Sequence, residues 1–361
     1  MLKFLLIPLS WIYRAITSLR NTLYDHQILK SKEFQKPVIS VGNITVGGTG
    51  KTPHTEYIVN LLCKNYNVAI LSRGYRRKTK GYLKATPQST VKEIGDEPKQ
   101  MSLKFQNKAQ VYVCEDRCKG IDNIIAEGNE NQVIVLDDAY QHRSVIPRVN
   151  ILLTDYNRPI YEDHILPYGR LRESASRSNR ANIIIVTKCP DDLKPIDRRV
   201  IAKHVNLLPF QSIFFTNYKY LGLKSVFGYE NIPNATKETN ILLVTGIANP
   251  QSLINHIKKN ISEKITHIEF ADHHNFNKKD ISKITEKFLS LPSDRIIITT
   301  EKDAVRLREL NLSDEIKKAI CYIPVEINFI YDDAEELNFQ ILKHVDENKT
   351  DYRLHTTVHQ F

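Results

Sequence analysis

The sequence lacks several features that assign a protein to a common class at once. Its 361 residues include only five cysteines, and the one close pair, Cys114 and Cys118, has no second pair to complete a zinc site. An odd, scattered set of cysteines favours a protein of the reducing cytoplasm. The chain also contains no HExxH metal motif and no low-complexity run. Its composition is that of a soluble globular protein with room for two domains.

The N-terminal segment is apolar but too short to span a bilayer. Its uncharged run extends only from Phe4 to Tyr13, whereas a transmembrane helix needs about 20 apolar residues. Polar and apolar positions fall on opposite helical faces, which predicts an amphipathic helix within residues 1–30 that lies on a membrane surface. Trp11 and Tyr13 are then expected at headgroup level. The polar positions are Lys3, Ser10, Arg14, Thr17 and Asn21, the apolar ones are Phe4, Leu5, Leu9, Trp11, Ile12, Ile16 and Leu19, and the lipid-facing cations are Lys3, Arg14 and Arg20.

Two alternatives compete with a membrane-surface helix. A first helix can pack its apolar face on the protein's own core, which is the ordinary arrangement in globular proteins. A cleaved signal peptide with Lys3 as its basic start is the other alternative. The phosphate-binding loop described below argues against a secreted protein, so the choice lies between a core helix and a membrane-surface helix.

The formal net charge of +10 does not by itself identify a partner. A basic surface attracts nucleic acids, phosphorylated substrates and anionic membranes alike. The sequence has no zinc finger, no RNA-binding motif with interleaved aromatic residues and no basic helix. We therefore expect no nucleic-acid partner.

Short β-branched runs alternate with helix-like segments, which predicts parallel sheets flanked by helices. We expect an α/β fold with a P-loop NTPase-like α/β/α sandwich over residues 31–207 and a second, smaller α/β/α domain over residues 240–348. A linker of irregular β strands over residues 208–239 joins them, and a polar tail covers residues 349–361. The strand candidates are 36–42, 67–72, 109–114, 132–137, 149–155, 182–188, 240–246, 265–270, 295–300 and, as one last strand, 319–329.

The stretch SVGNITVGGTGKTPHTEY, residues 40–57, predicts a nucleotide site. A strand that leads through glycines into a helix start aims backbone N–H groups and the positive helix end at bound phosphate. Lys51 is expected to neutralise the β- and γ-phosphates of ATP, and the Thr52 hydroxyl to bind Mg²⁺. Thr45 replaces the usual first glycine, and an ordinary strand-to-helix turn is the alternative. The expected nucleotide-binding residues are Thr45, Val46, Gly47, Gly48, Thr49, Gly50, Lys51 and Thr52.

A second magnesium ligand is expected in QVIVLDDAYQH. Asp137 and Asp138 directly follow a buried strand, so they lie at the carboxyl edge of the sheet, where ligands bind. Adjacent strand residues point to opposite faces, and the two carboxylates therefore divide their roles unless the strand has already ended.

Phosphoryl transfer also needs a base and further cations. Three clusters are candidates: EIGDEPKQ, in which Asp96 and Glu97 are expected in a loop; LPYGRLRES, with Arg170 and Arg172; and FADHHNF. Each has a structural alternative, namely a turn, a solvated basic loop and a structural histidine pair. The residues alone thus predict an ATP-type phosphotransferase or NTPase without naming its acceptor.

Taken together and in order, these motifs resemble one family, the tetraacyldisaccharide 4'-kinases that phosphorylate lipid A precursors in Gram-negative bacteria. The resemblance also rests on SRGYRRK, GDEP, VTGIANPQSL and TTEKDAVRL, and it covers nearly the whole chain. The family's phosphate loop reads G-N-x-T-V-G-G-x-G-K-T-P, so Thr45 is a family feature. Ala139 departs from the glycine that many members have.

The resemblance implies transfer of the ATP γ-phosphate to the 4' hydroxyl of an acylated glucosamine disaccharide 1-phosphate. It also implies a peripheral enzyme, expected as a monomer, on the cytoplasmic face of the inner membrane. The implied catalytic pair is Asp96 with His273, and His274 is the alternative histidine. Further implied active-site residues are Gln141, His142, Arg172 and Glu173, and the implied acceptor contacts are Tyr75 and Arg117.

A rival hypothesis is a membrane-docked regulatory P-loop NTPase or GTPase. A GTPase of this kind would contain a guanine-recognition motif of the N/T-K-x-D type. TKCPDD comes near, but Asp191 stands one residue too late.

Overall fold

The computed structural model describes residues 6–232 and 234–358, with side chains of the last helix as far as residue 347. It contains two mainly parallel sheets. The strands are β1 Val38–Asn43, β2 Asn67–Ser72, β3 Leu83–Lys84, β4 Ala109–Val113, β5 Gln132–Asp137, β6 Val149–Asp155, β7 Ile183–Thr187, β8 Ser212–Tyr220, β9 Lys224–Ser225, β10 Asn240–Thr245, β11 Ile265–Glu269, β12 Arg295–Thr300, β13 Ile320–Ile323 and β14 Val325–Phe329. The helices are α1 Ile7–Asp25, α2 Lys51–Leu62, α3 Val91–Ile94, α4 Asp96–Phe105, α5 Arg117–Ala126, α6 Pro195–Val205, α7 Gln251–Asn260, α8 Lys278–Leu289, α9 Glu301–Leu307, α10 Asp314–Ala319 and α11 Ala334–Val358, with short 3₁₀ helices at Ala175–Arg180 and Ile330–Asp332.

The larger sheet has nine strands in the order β14-β8-β7-β6-β1-β5-β2-β4-β3. All neighbours pair in parallel except the two edge strands β14 and β3. Its apolar residues pack on α2, α4 and α11 across one face and on α5 and α6 across the other. The near-continuous runs of Ile, Val and Leu are therefore buried on both sides, as a parallel sheet requires.

The smaller sheet has five strands in the order β11-β10-β12-β13-β9, and only β9 is antiparallel to its neighbour. Helix α7 packs on one face, and α8, α9 and α10 pack on the other. The predicted fold class, two α/β/α layers of unequal size, is confirmed.

The chain crosses between the two sheets at two points, from β8 to β9 and from β13 to β14. The segment expected as a linker contains β8, a full strand of the larger sheet, and β9, an edge strand of the smaller one. The single last strand expected over residues 319–329 is wrong, because it divides at Pro324 into β13 of the smaller sheet and β14 of the larger sheet. Proline has no N–H to continue a ladder, and its carbonyl instead accepts from the Leu221 N–H at 2.9 Å, where the chain crosses the other way.

Helix α1 packs on the protein through its polar face. Ser10 and Asn21 are buried, whereas Trp11 is 68% exposed and Ile16 is 63% exposed. The Ser10 hydroxyl accepts from the Tyr168 N–H at 2.9 Å, and the Asn21 carbonyl accepts from Arg143 at 2.7 Å. The alternative of an apolar face packed on the core is therefore wrong. Predicted positions Lys3, Phe4 and Leu5 lie outside the described residues.

No helix within residues 6–232 and 234–358 is both long enough and apolar enough to cross a bilayer.

Candidate active site

The phosphate loop connects β1 to α2, as its sequence predicts. Helix α2 begins at Lys51, and Gly50 caps it with a left-handed backbone (φ 84°). A Cβ at Gly50 would lie 2.5 Å from the Tyr218 hydroxyl, so this position also needs glycine for space. The loop therefore presents the N–H groups of the first turn of α2 to the cleft, which suits a bound phosphate.

Buried polar contacts hold the loop from below. The Asn43 amide donates to the Thr49 hydroxyl at 2.7 Å and lies 3.4 Å from the Thr45 hydroxyl. The Thr187 hydroxyl donates to the Thr49 carbonyl at 3.0 Å. The Val46 N–H donates to the Arg170 carbonyl at 2.8 Å. Thr45 is buried, so it supports the loop from inside, where a glycine would leave this contact unmade.

The two adjacent aspartates take different positions, as expected for residues at a strand end. Asp137 is the last residue of β5, and its Oδ1 accepts from the Thr55 hydroxyl at 3.1 Å. Asp138 follows the strand with φ 49° and lies 3.7 Å from the Lys51 ammonium. Burial opposes ionisation of Asp138, but Lys51 and Arg172 outweigh it and hold its pKa below the usual value.

Asp137 has the burial and the charge environment of a carboxylate that binds a cation. Its Oδ2 is buried without a hydrogen-bond partner among the described residues. Burial, with the negative charges of Glu97 and Asp138 nearby, raises the pKa of Asp137 to about 7. A cation beside these two carboxylates would relieve both effects. The oxygen donors of Asp137, Asp138 and Thr52 are of the kind that Mg²⁺ prefers.

Asp96 and His273 meet across the two sheets. The His273 Nδ1 is 2.8 Å from the Asp96 Oδ2. His273 has a left-handed backbone (φ 58°) in the loop after β11. His274 instead bonds to Asp280 of its own domain at 2.9 Å. The structure therefore brings Asp96 together with His273 and not with His274.

Asp96 and Glu97 are not in a loop, and that expectation is wrong. Asp96 is the first residue of α4, and Gly95 (φ 92°) precedes it. Pro98 falls in the first turn of the helix, where its missing N–H has no helical partner to lose. The side chain of Asp96 is therefore fixed by a rigid element, and its Oδ1 also accepts from the Glu97 N–H at 3.0 Å.

Cations from α9 surround Asp96. Arg306 donates to the Asp96 Oδ2 at 2.6 Å, and the Lys302 ammonium lies 3.9 Å away. Burial opposes ionisation of Asp96, but the His273 hydrogen bond and the charges of Lys302 and Arg306 outweigh it and hold its pKa well below the usual range. Asp96 is consequently a carboxylate at neutral pH.

Three neighbouring cavities lie around the Asp96–His273 pair. A cleft of about 580 Å³ between the sheets is lined by Gly48 to Pro53, Glu97 and Lys302. A cavity of about 450 Å³ lies between α1 and the carboxyl edge of the larger sheet, and Glu97 and Asp138 line it. A third, of about 290 Å³, is bounded by Asp96 and His273. Glu97 borders the first two, so a nucleotide and an acceptor can meet beside the dyad.

Four residues that the resemblance implied lie around the second cavity. Arg172 is 3.5 Å from the Asp138 carboxylate and 3.4 Å from the side-chain amide oxygen of Gln141. Burial and neighbouring arginines lower the pKa of His142 to about 4. Glu173 is buried and accepts from Arg180 at 2.6 Å. The structure thus brings Gln141, His142, Arg172 and Glu173 together.

The two expected acceptor contacts differ in position. Tyr75 is exposed, lines two of the cavities and packs edge-on against His273 with ring centroids 5.3 Å apart. Arg117 is 1% exposed. Its Nη2 has no hydrogen-bond partner among the described residues, and its charge acts on Asp137 and Asp138. In this conformation Arg117 lies behind the two aspartates.

Several side chains at the site were not predicted from the sequence. Lys302 and Arg306 belong to TTEKDAVRL, a motif that carried the resemblance but received no role. Lys188, in the near-match to a guanine motif, instead pairs with Asp155 at 2.7 Å and bonds to the Gly48 carbonyl. Their positions depend on the packing of two distant segments, which one sequence does not reveal.

Comparison with known proteins identifies the family of this site. The family model described as "Tetraacyldisaccharide-1-P 4'-kinase" matches residues 2–346. The chain belongs to this family. The resemblance inferred from the motifs is therefore confirmed.

Named relatives and a solved structure agree with the family model. The chain is 47% identical to the tetraacyldisaccharide 4'-kinase of Bacteroides thetaiotaomicron over 95% of this chain and 93% of the relative. It is 49% identical to that of Phocaeicola vulgatus over 95% of both chains. The crystal structure of "apo" form LpxK from Aquifex aeolicus in complex with ATP matches with a TM-score of 0.75 and 29% identity, over 96% of this chain and 100% of that chain. A kinase that uses ATP fits the phosphate loop described above.

Proposed function

We propose that this protein transfers the γ-phosphate of ATP to the 4' hydroxyl of an acylated glucosamine disaccharide 1-phosphate. The observation that carries the proposal is the ionised Asp96, bonded to His273 beside the cleft that contains the phosphate loop. The identity of the acceptor is inferred from family membership and from the names of relatives that are 47–49% identical.

The chain's own residues account for the separate requirements of phosphoryl transfer. Backbone N–H groups of the loop and Lys51 hold the β- and γ-phosphates. Asp96 receives the hydroxyl proton, directly or through His273, as the two sheets close on the substrates. Thr52, Asp137 and Asp138 would hold Mg²⁺, which supplies charge neutralisation to the phosphates.

The acceptor fits the cavity between α1 and the larger sheet. Tyr13, Thr17 and Arg20 of α1 line it on one side, and Glu97, Asp138 and Tyr75 line it on the other. A lipid substrate stays in the bilayer, so an enzyme that rests on the membrane through α1 reaches it there. Tyr75 is the proposed acceptor contact of this cavity, and Arg117 supports it from behind the aspartates.

The exposed apolar face of α1 supports association with a lipid surface. Leu9, Trp11, Ile12, Ile16 and Leu19 are each more than half exposed, while the polar face packs inward. Burying such side chains in a bilayer is favourable by about 1.5–3 kcal/mol each. Arg14 and Arg20 are also exposed and would face anionic lipid headgroups. The proposed location is the cytoplasmic face of the inner membrane.

An acceptor-dependent kinase assay tests the proposed function. Purified protein with Mg²⁺ and ATP should release ADP only when the acylated disaccharide 1-phosphate is present in mixed micelles. Lys51→Ala should lose that turnover because one phosphate-binding cation is gone. The proposal fails if the wild-type protein leaves this acceptor unmodified across several detergents, or if ADP release is independent of the acceptor.

A further inference from the structure

Lys302 lies where the nucleotide cleft meets the Asp96–His273 pair. Its side chain lines the same cleft as Lys51 and Thr52. Its ammonium group is 3.0 Å from the His273 Nε2, 3.4 Å from the Glu97 carboxylate and 3.6 Å from the Asp272 carboxylate. One cation therefore borders both the space for the triphosphate and the proposed proton acceptor.

The hydrogen-bond directions fix the tautomer of His273. A lysine ammonium has donors only, so it donates and the His273 Nε2 accepts. The Nδ1 then carries the hydrogen and donates to Asp96 at 2.8 Å. While Lys302 remains there, the one acceptor nitrogen of the ring is occupied. A proton from a substrate hydroxyl can enter the ring only after this contact breaks.

A bound triphosphate offers Lys302 a stronger partner. The terminal phosphate carries more negative charge than either neighbouring carboxylate, and charge-assisted contacts to phosphate are strong. The flexible lysine stem allows the ammonium to move by several ångströms without moving the helix. Arg306 stays bonded to Asp96 at 2.6 Å and Asp303 at 3.0 Å, so the Asp96 carboxylate keeps a cation when Lys302 leaves.

Ion pairs connect helix α9 to α2, the helix that follows the phosphate loop, and so hold Lys302 in position. The Lys104 ammonium bridges Glu56 of α2 at 2.7 Å and Glu301 of α9 at 3.3 Å. Glu301 directly precedes Lys302. The smaller sheet thus contributes a cation to the cleft that Lys51 lines from the larger sheet.

We propose that Lys302 is a catalytic residue that contacts the terminal phosphate of ATP, and that its transfer from His273 to this phosphate frees Nε2 to accept the hydroxyl proton. This inference rests on the proposed function. The acceptor oxygen forms a bond to the γ-phosphorus, and the bond from that phosphorus to the bridging oxygen breaks with its electron pair on ADP. The hydroxyl proton passes to His273, and Asp96 stabilises the resulting imidazolium.

The test compares two nucleotides in Lys302 variants. Affinity for a non-hydrolysable ATP analogue and for ADP, each with Mg²⁺, is measured by calorimetry in the wild type, Lys302→Met and Lys302→Arg. Lys287→Met, an exposed position on α8, is the matched control. Lys302→Met should bind the analogue about tenfold more weakly while ADP affinity changes less than about twofold, because only the analogue carries the contacted phosphate. Lys302→Arg should recover part of the preference.

Turnover supplies the second readout. The kcat of Lys302→Met should fall by about 100-fold or more, as for loss of one donor to a developing charge, and its thermal unfolding temperature should stay near that of Lys287→Met. Equal losses of analogue and ADP affinity, or a kcat within about threefold of wild type, would overturn the inference. If Lys302→Met does not fold, the same comparison is made with Lys302→Arg against wild type.

Failure of the inference and failure of the proposed function are distinguishable. The affinity comparison needs no acceptor, so it judges Lys302 even if the wild type does not phosphorylate the disaccharide. An active wild type with an unchanged nucleotide preference in Lys302→Met rejects the inference alone.

Discussion

Asp96 keeps its negative charge although it is buried, and this charge is what the proposed chemistry uses. The His273 hydrogen bond and the cations Lys302 and Arg306 outweigh the cost of burial. Because these partners come from the smaller sheet, the carboxylate is held only when both sheets are in contact. The contact between the two sheets and the proposed reaction therefore both involve the Asp96 side chain.

Asp96→Asn should lower kcat by about 10²–10⁴, because the neutral amide can neither take up a proton nor stabilise a protonated His273. The affinity for ATP should change little, since the phosphate loop is intact. Steady-state kinetics with calorimetric ATP binding measures both. Asp314→Asn, whose side chain is 84% exposed, is the control and should resemble wild type. Near-normal turnover of Asp96→Asn would show that the Asp96 charge has no part in the proton transfer.

His54 is a second residue whose charge state matters, and it lies behind the phosphate loop. Its ring bonds to the Gly50 carbonyl at 2.7 Å and to the Thr216 hydroxyl at 3.0 Å. Burial lowers the pKa of His54 to about 4, and the charge of Lys188 acts in the same direction against the Gly50 hydrogen bond. The folded protein therefore requires the neutral ring at this position.

Protonation of His54 should destabilise the fold as pH falls. The unfolded pKa is near 6.5 and the folded pKa about 4, so the loss begins below pH 6.5 and is complete near pH 4, where it amounts to about 3 kcal/mol. Urea unfolding at pH 7.5 to 4.5 measures this. The pH dependence should be flatter in His54→Gln and unchanged in the control His26→Gln, an exposed position. Equal slopes in His54→Gln and wild type would contradict the assignment.

Helix α1 shows how an element can be predicted well from sequence and still need the structure to orient it. Its amphipathic pattern was clear, but a core helix and a membrane-surface helix share that pattern. The buried Ser10 and Asn21 exclude a helix that packs its apolar face on the core, and membrane association is the proposal that remains. The face of α1 that is apolar has no partner among the described residues of the chain.

Replacing the exposed apolar face of α1 should abolish membrane binding without unfolding the protein. The triple variant Trp11→Ser, Ile12→Ser, Ile16→Ser should bind vesicles of phosphatidylethanolamine and phosphatidylglycerol about 100-fold more weakly or worse, since each burial is worth about 1.5–3 kcal/mol. Vesicle sedimentation measures this. Phe339→Ser, 62% exposed on α11, is the control and should sediment like wild type. Unchanged sedimentation of the triple variant would reject α1 as the docking element.

Most strands were predictable because their β-branched runs are buried on both faces; β2, β5 and β6 have the predicted bounds. The turn from β1 into α2 at the phosphate loop was predictable because it depends on a local motif, whereas the pair of Asp96 and His273 was expected only from the family resemblance. The division at Pro324 was not, since an apolar run on each side of a proline also fits one edge strand. Lys302 and Arg306 were not assigned a role because Asp96, which lies beside both, is more than 200 residues earlier in the chain. Only the packing of the two sheets brings these residues together.

The whole molecule depends on contacts that join the two sheets near the cleft. Lys104 bridges Glu56 and Glu301, and Glu56 is buried. Burial and the nearby charge of Glu301 raise the pKa of Glu56, and Lys104 opposes both. The bridge between α2 and α9 therefore depends on the Lys104 charge, which both carboxylates share.

Lys104→Met should destabilise the protein by about 3–5 kcal/mol, because it leaves the buried Glu56 without its counter-charge. The double variant Glu56→Gln, Lys104→Met should recover part of that loss. Urea unfolding of the four members of the double-mutant cycle gives the coupling. Lys108→Met, an exposed position after the same helix, is the control. A loss below about 1 kcal/mol in Lys104→Met would show that the bridge contributes little.

The phosphate loop, the Asp96–His273 pair and the cavity beside α1 are together proposed to phosphorylate one position of a membrane-held disaccharide. The most direct measurement is the position of the new phosphate, by phosphorus NMR and fragmentation mass spectrometry, after reaction with vesicles that contain the acylated disaccharide 1-phosphate. We expect one added phosphate, at the 4' hydroxyl. A phosphate at any other position, or free phosphate in place of a phosphorylated lipid, would contradict it.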